Sequence, residues 1–165
     1  MINLFKLSLT CILFFGWGFS SLMAQNGNGI MAEYPEEKAE IMQTWDDIVE
    51  SVKVGDIDKL ISFHAYGPKF TEFKQGAPRN GGKENEAFER EVFGSVKEVV
   101  KMDAKNMKVA VYHGNVAVVT FHSDFHLKFE EDLAVVNDQI SLVFVKNKNG
   151  EWKIVHEHHS PLSQS

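Results

Sequence analysis

Residues 149–160, Asn149-Gly150-Glu151-Trp152-Lys153-Ile154-Val155-His156-Glu157-His158-His159-Ser160, have the pattern of a tight turn followed by a half-buried β-strand. An Asn-Gly dipeptide between two apolar runs is the strongest short-range signal of a β-hairpin, and the partner run here is residues 140–145. Side chains on a strand alternate between its two faces. One face, which we expect to be the concave interior because it begins with apolar residues, therefore carries Trp152, Ile154, His156, His158 and Ser160. The other face carries Lys153, Val155, Glu157 and His159.

The stretch before this hairpin is also rich in β-forming residues. Residues 96–104 and 107–112 are predicted to be two strands, and the turn at 113–115 leads into a long strand over 116–128. Residues 130–138 are polar at both ends and are predicted to form a loop or a bulge. The C-terminal half therefore favours a run of antiparallel strands.

The N-terminal half has helical periodicity instead. From Pro35 to Val52, apolar side chains recur every three or four residues, which predicts an amphipathic helix of about 18 residues. Gly55 is expected to end this helix, and Asp56 to cap a second, shorter one over 57–63. A short strand over 69–73, a loop rich in glycine and proline, and a third helix over 84–93 follow.

Helices near one end of the chain and antiparallel strands near the other are typical of an α+β domain with helices on one face of a sheet. The chain has 165 residues, which is enough for one packed core. We predict a single domain over residues 36–162. The 23 acidic and 17 basic residues give a net charge of −6, which argues against nucleic acid as a partner.

Residues 1–24 are predicted to be a secretory signal peptide, with Lys6 in a short basic region and an apolar core over 7–19. The alternative is a membrane anchor, but this apolar core is shorter than the ~20 residues that a spanning helix needs. Residues 25–35 are expected to be a flexible start of the mature chain. Cleavage would remove Cys11, the single cysteine. We therefore expect a periplasmic or secreted protein without disulfides, and with no membrane segment after signal removal.

Three segments resemble the SnoaL-like group of the nuclear-transport-factor-2-like superfamily: Gly55-Asp56-Ile57-Asp58-Lys59-Leu60, Tyr112-His113-Gly114-Asn115-Val116-Ala117-Val118-Val119, and residues 150–160 quoted above. The last is the most specific, since the group often ends in W-x-I-x-H-x-H-x-S. The resemblance covers about residues 36–162. It implies a cystatin-like α+β fold, in which a cone-shaped, curved antiparallel sheet carries three N-terminal helices on its concave face. It also implies a pocket between sheet and helices and often a dimer through the outer sheet face.

His156 and His158 are candidates for general acid–base catalysis, because imidazole titrates near neutral pH and alternation places both near the pocket. The alternative is that they are interior histidines that support the fold. The pair could also ligate a metal, with His122, Asp124 or His126 as a third ligand, but no complete ligand set is present. We predict no metal and no cofactor.

Glu72 is the candidate general base. The resemblance implies that ketosteroid isomerases, members of the same superfamily, are relatives. In those enzymes the first strand after the second helix carries a carboxylate base, and Glu72 lies in the matching region. Apolar neighbours such as Phe70 and Phe73 suit a carboxylate that takes a proton next to a carbonyl. No match is found for the oxyanion-hole Tyr and Asp of that family. The alternative is a solvated carboxylate between Lys69 and Lys74.

The rest of the predicted ligand pocket consists of two aromatic walls and three polar side chains, Trp45, Tyr66, His122, Asp124 and Ser160. Trp45 could equally be a core residue, as a tryptophan at helical spacing often is. Residues 116–119 are apolar on both strand faces, so we expect a second sheet to cover the outer one in a homodimer.

Two functions remain open from the sequence. One is an exported protein that binds a small apolar molecule and converts it by acid–base chemistry, as an isomerase, cyclase or dehydratase. The other is a non-catalytic ligand-binding or oligomerisation module of the periplasm. The sequence does not choose between enzyme and binding protein.

Overall fold

The computed structural model describes residues 29–77, 79 and 81–163. The predicted signal peptide lies outside these residues. The described residues form three helices: α1 (Pro35–Val54), α2 (Ile57–Ser62) and α3 (Gly82–Gly94). Among the described residues, no helix is long and apolar enough to cross a membrane.

The helix ends are where the local signals put them. Pro35 lies in the first turn of α1, where a missing N–H costs nothing. Gly55 ends α1 in the left-handed conformation, with φ of 71°, and its N–H reaches back to carbonyls of the last turn. The Asp56 side chain accepts a hydrogen bond of 2.9 Å from the Lys59 N–H and so caps α2.

In the described part of the chain, six strands form one curved sheet: β1 (Thr71–Lys74), β2 (Glu98–Tyr112), β3 (Val116–Phe129), β4 (Asp132–Val136), β5 (Asp138–Lys146) and β6 (Trp152–Pro161). The strand order is β1-β6-β5-β3-β2, and β4 pairs with β3 beside β5. The α+β class is thus as expected. The sheet is mixed rather than wholly antiparallel, because β1 runs parallel to β6.

Two irregular segments differ from their predictions. Residues 98–112 form one strand with two register shifts against β3, where two strands were predicted; Asn106, with φ of 56°, lies at the second shift. The predicted loop over 130–138 contains β4 and the start of β5. Ser123 holds the corner between them: its hydroxyl donates to the Val136 carbonyl at 2.9 Å and accepts from the Asp138 N–H at 2.8 Å.

The core lies between α1 and the concave face of the sheet. Ile41, Trp45, Ile48 and Val52 of α1 are buried against inward-facing residues of the sheet, among them Ala117, Val119, Leu142, Phe144 and Ile154. Among the described residues no helix lies on the opposite face of the sheet, and the central side chains of that face are half-buried by their neighbours. The concave face therefore holds both the core and the cavity described next.

Candidate functional site

A cavity of about 310 Å³ lies between the helices and the concave face of the sheet. This volume is at the small end of the range for small-molecule pockets, about 300–1,000 Å³. Its walls are mainly apolar, and six aromatic side chains line it: Trp45, Phe88, Phe93, Phe121, Phe125 and Phe129. Trp45 packs on Phe121 with ring centroids 4.7 Å apart. Such a cavity suits a small and largely apolar molecule.

A β-bulge in β6 decides which side chains reach this cavity. Phe144 pairs with Ile154, but its neighbour Val143 pairs with His156, so Val155 is an extra residue without a partner of its own. An extra residue reverses the alternation beyond it. Glu157 and His159 consequently face the cavity, which they line.

His156 and His158 lie on the outer face, so their predicted placement at the pocket is wrong. The Nδ1 atom of His156 lies 2.8 Å from the Thr71 hydroxyl. The ring of Phe73, itself 54% exposed, packs edge-on against both imidazoles. Simple alternation failed here because it assumes a strand without a bulge.

Two carboxylates meet at the polar end of the cavity. Glu72 on β1 pairs in register with Glu157 on β6, and both side chains are buried and line the cavity. His159 lies two residues beyond Glu157 on the same face. One ligand-type atom from each of these three residues lies within 4.8 Å of the other two. Like charges directly opposite on neighbouring strands repel each other, so this arrangement requires nearby cations.

Glu157 is held between two imidazoles. His64, two residues after α2, donates from Nε2 to Glu157 Oε1 at 2.7 Å and from Nδ1 to the Leu60 carbonyl at 3.1 Å. His159 donates from Nε2 to Glu157 Oε2 at 2.9 Å. Glu157 therefore has a hydrogen-bond donor on each of its carboxylate oxygens.

These contacts shift the pKa values of both His64 and Glu157. Burial alone would lower the pKa of His64, but the hydrogen bond and charge of Glu157, with the charge of Glu89, raise it to about 9. Burial alone would raise the pKa of Glu157, but the hydrogen bonds from His159 and His64 bring it below its usual range. At neutral pH the pair is thus an imidazolium beside a carboxylate.

Glu89 of α3 extends this network away from the sheet. Its Oε2 atom lies 3.6 Å from His64 Nε2 and accepts a hydrogen bond from the Tyr66 hydroxyl. Burial, followed by the charge of Glu157, raises the pKa of Glu89 against the opposing charge of His64. Burial and the nearby Glu89 charge likewise raise the pKa of Tyr66 well above its usual value. Tyr66 stacks on the His64 ring at 4.8 Å.

Arg79 accompanies Glu72. Its Nη2 atom donates to Glu72 Oε1 at 3.1 Å, and its guanidinium lies 3.6 Å from the centre of the Phe88 ring. The carboxylate of Glu72 is therefore neither solvated nor unpaired, and the Lys69 and Lys74 flanks proposed from the sequence are not its partners in these contacts.

The structure thus brings Trp45 and Glu72 to the cavity, and it places Tyr66 behind His64. It puts His122, Asp124 and Ser160 on the outer face, which corrects their predicted place in the pocket. Asp124 instead pairs with Lys105 at 2.7 Å, with Lys101 and with His126 at 2.8 Å. Hydrogen bonds from the two lysines lower the pKa of Asp124 below its usual range.

Sequence reasoning missed His64, Arg79 and Glu89, and it placed Glu157 and His159 on the wrong face. A signal for the last two existed: Ile154 and Val155 are apolar on opposite faces, and residues 156–159 are all polar, so the sequence did not mark either face as the inner one beyond Val155. His64, Arg79 and Glu89 carried no comparable local signal.

The SnoaL-like domain model matches residues 41–164, about three quarters of the chain. The chain belongs to the SnoaL-like domain family. No curated protein matches its sequence.

Solved structures show the same fold. A candidate dehydratase of the NTF2-like family from Streptomyces avermitilis is 18% identical, with a TM-score of 0.67 over 79% of this chain and 100% of that one. A candidate aromatic ring hydroxylase from Novosphingobium aromaticivorans is 16% identical, with a TM-score of 0.67 over 81% of this chain and 94% of that one. An NTF2-like superfamily protein from Salmonella enterica is 22% identical, with a TM-score of 0.62 over 79% and 94% of the two chains. At these identities the likeness concerns the fold alone.

Proposed function

We propose that this SnoaL-like protein binds a small, neutral, largely apolar molecule in the 310 Å³ cavity and transfers a proton on it. The observation that carries the proposal is the meeting of Glu72, Glu157 and His159 at one end of an otherwise apolar cavity. Titratable groups that converge on an apolar pocket are the usual arrangement of an acid–base site. Candidate enzyme names among the similar structures support a catalytic role.

The ligand is proposed to be neutral because the charges of the site are already compensated. Glu157 pairs with His64 and His159, and Glu72 pairs with Arg79. A charged organic ligand would find no unpaired counter-charge there and, unlike a metal ion, would form no coordinate bonds to replace its hydration. A carbonyl or hydroxyl group on an apolar body would instead find hydrogen-bonding partners at the polar end and apolar contacts elsewhere.

Glu72 is the proposed base and His159 the proposed proton donor. Both line the cavity, and apolar walls exclude water that would compete for the proton. His64 has no free ring nitrogen for this role, because one donates to the Leu60 carbonyl and the other to Glu157. The chemistry that fits is removal of a proton next to a carbonyl, as in an isomerase, cyclase or dehydratase.

Glu72→Gln should lower the rate of this proton transfer by about 100-fold or more, because general-base catalysis contributes about 10²–10⁴-fold. The measurement is deuterium exchange of the α-protons of 2-tetralone in D₂O, followed by NMR. His158→Gln is the matched control, since His158 lies on the outer face. Equal exchange by the wild type and Glu72→Gln would contradict the role of Glu72. Tight binding of the ketone with no exchange by the wild type would favour the non-catalytic binding module.

We also propose that the protein is exported to the periplasm or the medium. The hydrophobic pattern of residues 7–19 and the small residue at position 24 support this location.

A homodimer through the outer face of the sheet is proposed as well. Val116, Val118 and Val143 lie on that face, where they are half-buried, and no element of the described chain covers them. Val118→Lys, which puts a charge at the centre of this face, should convert a dimer to a monomer in sedimentation velocity. Val54→Lys, at an exposed helix end, should leave the dimer intact. A wild-type protein that sediments as a monomer would refute the dimer.

A further inference from the structure

Glu72, Glu157 and His159 also have the arrangement of ligands around a metal ion. The strand pairing sets two buried carboxylates directly opposite each other, and the imidazole of His159 lies on the same face. Their ligand-type atoms lie within 4.8 Å of one another. We propose that these three side chains bind one divalent transition-metal ion of the Zn²⁺ and Mn²⁺ class at the polar end of the cavity.

The hydrogen bonds around the three residues favour this assignment. Arg79 contacts Oε1 of Glu72, and His64 contacts Oε1 of Glu157. Each carboxylate is thus oriented through one oxygen while the other can turn toward an ion. Carboxylate ligands of metal sites are commonly held by such outer hydrogen bonds. Neither Arg79 nor His64 has to leave for the ion to bind.

The short contact between Glu157 and His159 indicates where the ion would bind. Oε2 of Glu157 and Nε2 of His159 are 2.9 Å apart, joined by one hydrogen bond. Two ligands of one ion are separated by a similar distance, because metal–oxygen and metal–nitrogen bonds are about 2.0–2.2 Å long. The ion would replace the proton between these two atoms, and the free oxygen of Glu72 would supply the third bond.

The ligand types select the class of metal. Imidazole together with carboxylate suits Zn²⁺ and Mn²⁺, whereas Mg²⁺ and Ca²⁺ prefer sites made of oxygen atoms alone. Three protein ligands leave at least one position open, and that position faces the cavity. No metal was predicted from the sequence because no complete ligand set was found, and Glu157 and His159 were assigned to the outer face.

Metal binding goes beyond the proposed function, and it competes with proton transfer for the same atoms of Glu72 and His159. An ion on Glu72 occupies the electron pair that would accept a proton, and an ion on His159 excludes the protonated imidazole that would donate one. Zn²⁺ should therefore suppress the exchange of 2-tetralone protons. Metal binding and proton exchange are measured separately, so either proposal can fail without the other.

The test is isothermal titration of ZnCl₂ into the untagged mature chain after dialysis against EDTA, at pH 7. We expect one ion per chain with a micromolar or lower dissociation constant. Glu72→Gln and His159→Gln should each weaken binding at least tenfold. His158→Gln removes an adjacent imidazole from the outer face and should bind as the wild type does. Circular dichroism of each variant shows that the fold is kept, and MnCl₂ is the second probe.

Several outcomes would overturn the proposal. No binding by the wild type at 100 µM Zn²⁺, or equal binding by the wild type and His159→Gln, would show that these residues hold no ion. Loss of binding in His158→Gln would move the site to the outer face. Binding of MgCl₂ with the same affinity as ZnCl₂ would refute the assigned class of metal.

Discussion

Glu157→Gln should lower the free energy of unfolding by about 3 kcal/mol at pH 7, because removal of one partner leaves a buried charge without compensation. Glu157 is 8% exposed and joins His64, which follows α2, to His159 of β6. Loss of its charge leaves the buried imidazolium of His64 without its main partner. Urea denaturation in the presence of EDTA, followed by tryptophan fluorescence, measures the change.

Glu151→Gln is the matched control for this variant. Glu151 is an exposed carboxylate just before β6, and it pairs with Lys153 at 3.5 Å. Exposed ion pairs contribute about 0–1 kcal/mol, so this variant should be nearly as stable as the wild type. If Glu157→Gln were no less stable than Glu151→Gln, the buried network would contribute nothing to folding.

Protein stability should fall as the pH rises from 6.5 to 9, and His64 should cause most of the fall. The folded-state pKa of His64 is about 9, above its usual 6.5, so the folded protein holds a proton that the unfolded chain releases. The stabilisation is complete below pH 6.5 and is lost as the pH passes 9. A shift of this size corresponds to about 3 kcal/mol.

The pKa of Glu157 determines the lower end of the pH range in which the His64–Glu157 pair stabilises the protein. Its pKa is lowered in the folded protein, so its contribution is present above its ordinary value of 4.5 and is lost as the pH falls below that value. The groups that face His64 are Glu157, Glu89 and Tyr66. The pair should therefore stabilise the protein most between about pH 5 and 6.5.

Urea unfolding at pH 6 and pH 9 tests this behaviour. The difference between the two pH values should be about 3 kcal/mol smaller in His64→Gln than in the wild type. His158→Gln, which removes an imidazole of the outer face, should keep the wild-type difference. A difference of the same size in His64→Gln and the wild type would show that His64 does not hold the extra proton.

The helices and their ends were predictable from the sequence because their causes are local. Pro35, Gly55 and Asp56 act on residues within one turn of themselves, and each has the predicted role. The family could be inferred as well, since its signature over 150–160 is a contiguous pattern. Glu72 was selected on that resemblance, and the structure places it at the cavity; its catalytic role stays a prediction.

The parallel pairing of β1 with β6 could not be predicted from the sequence. Nothing in residues 71–74 indicates whether their neighbour runs parallel or antiparallel, because strand direction depends on the path of the intervening chain. That pairing sets Glu72 opposite Glu157. The polar end of the cavity therefore depends on a contact between segments that are distant in sequence.

The amino-acid sequence alone accounts for the three helices, most of the strands, the α+β class and the SnoaL-like family, since periodicity and caps act over a few residues. It did not predict β4 or the continuity of β2. The tertiary structure settles which face of β6 meets the cavity. The bulge at Val155 arises from pairing with Val143 and Phe144 of β5, and it exchanges His156 and His158 for Glu157 and His159. The ion pair of His64 with Glu157 spans 93 residues, and no local pattern encodes a contact of that range.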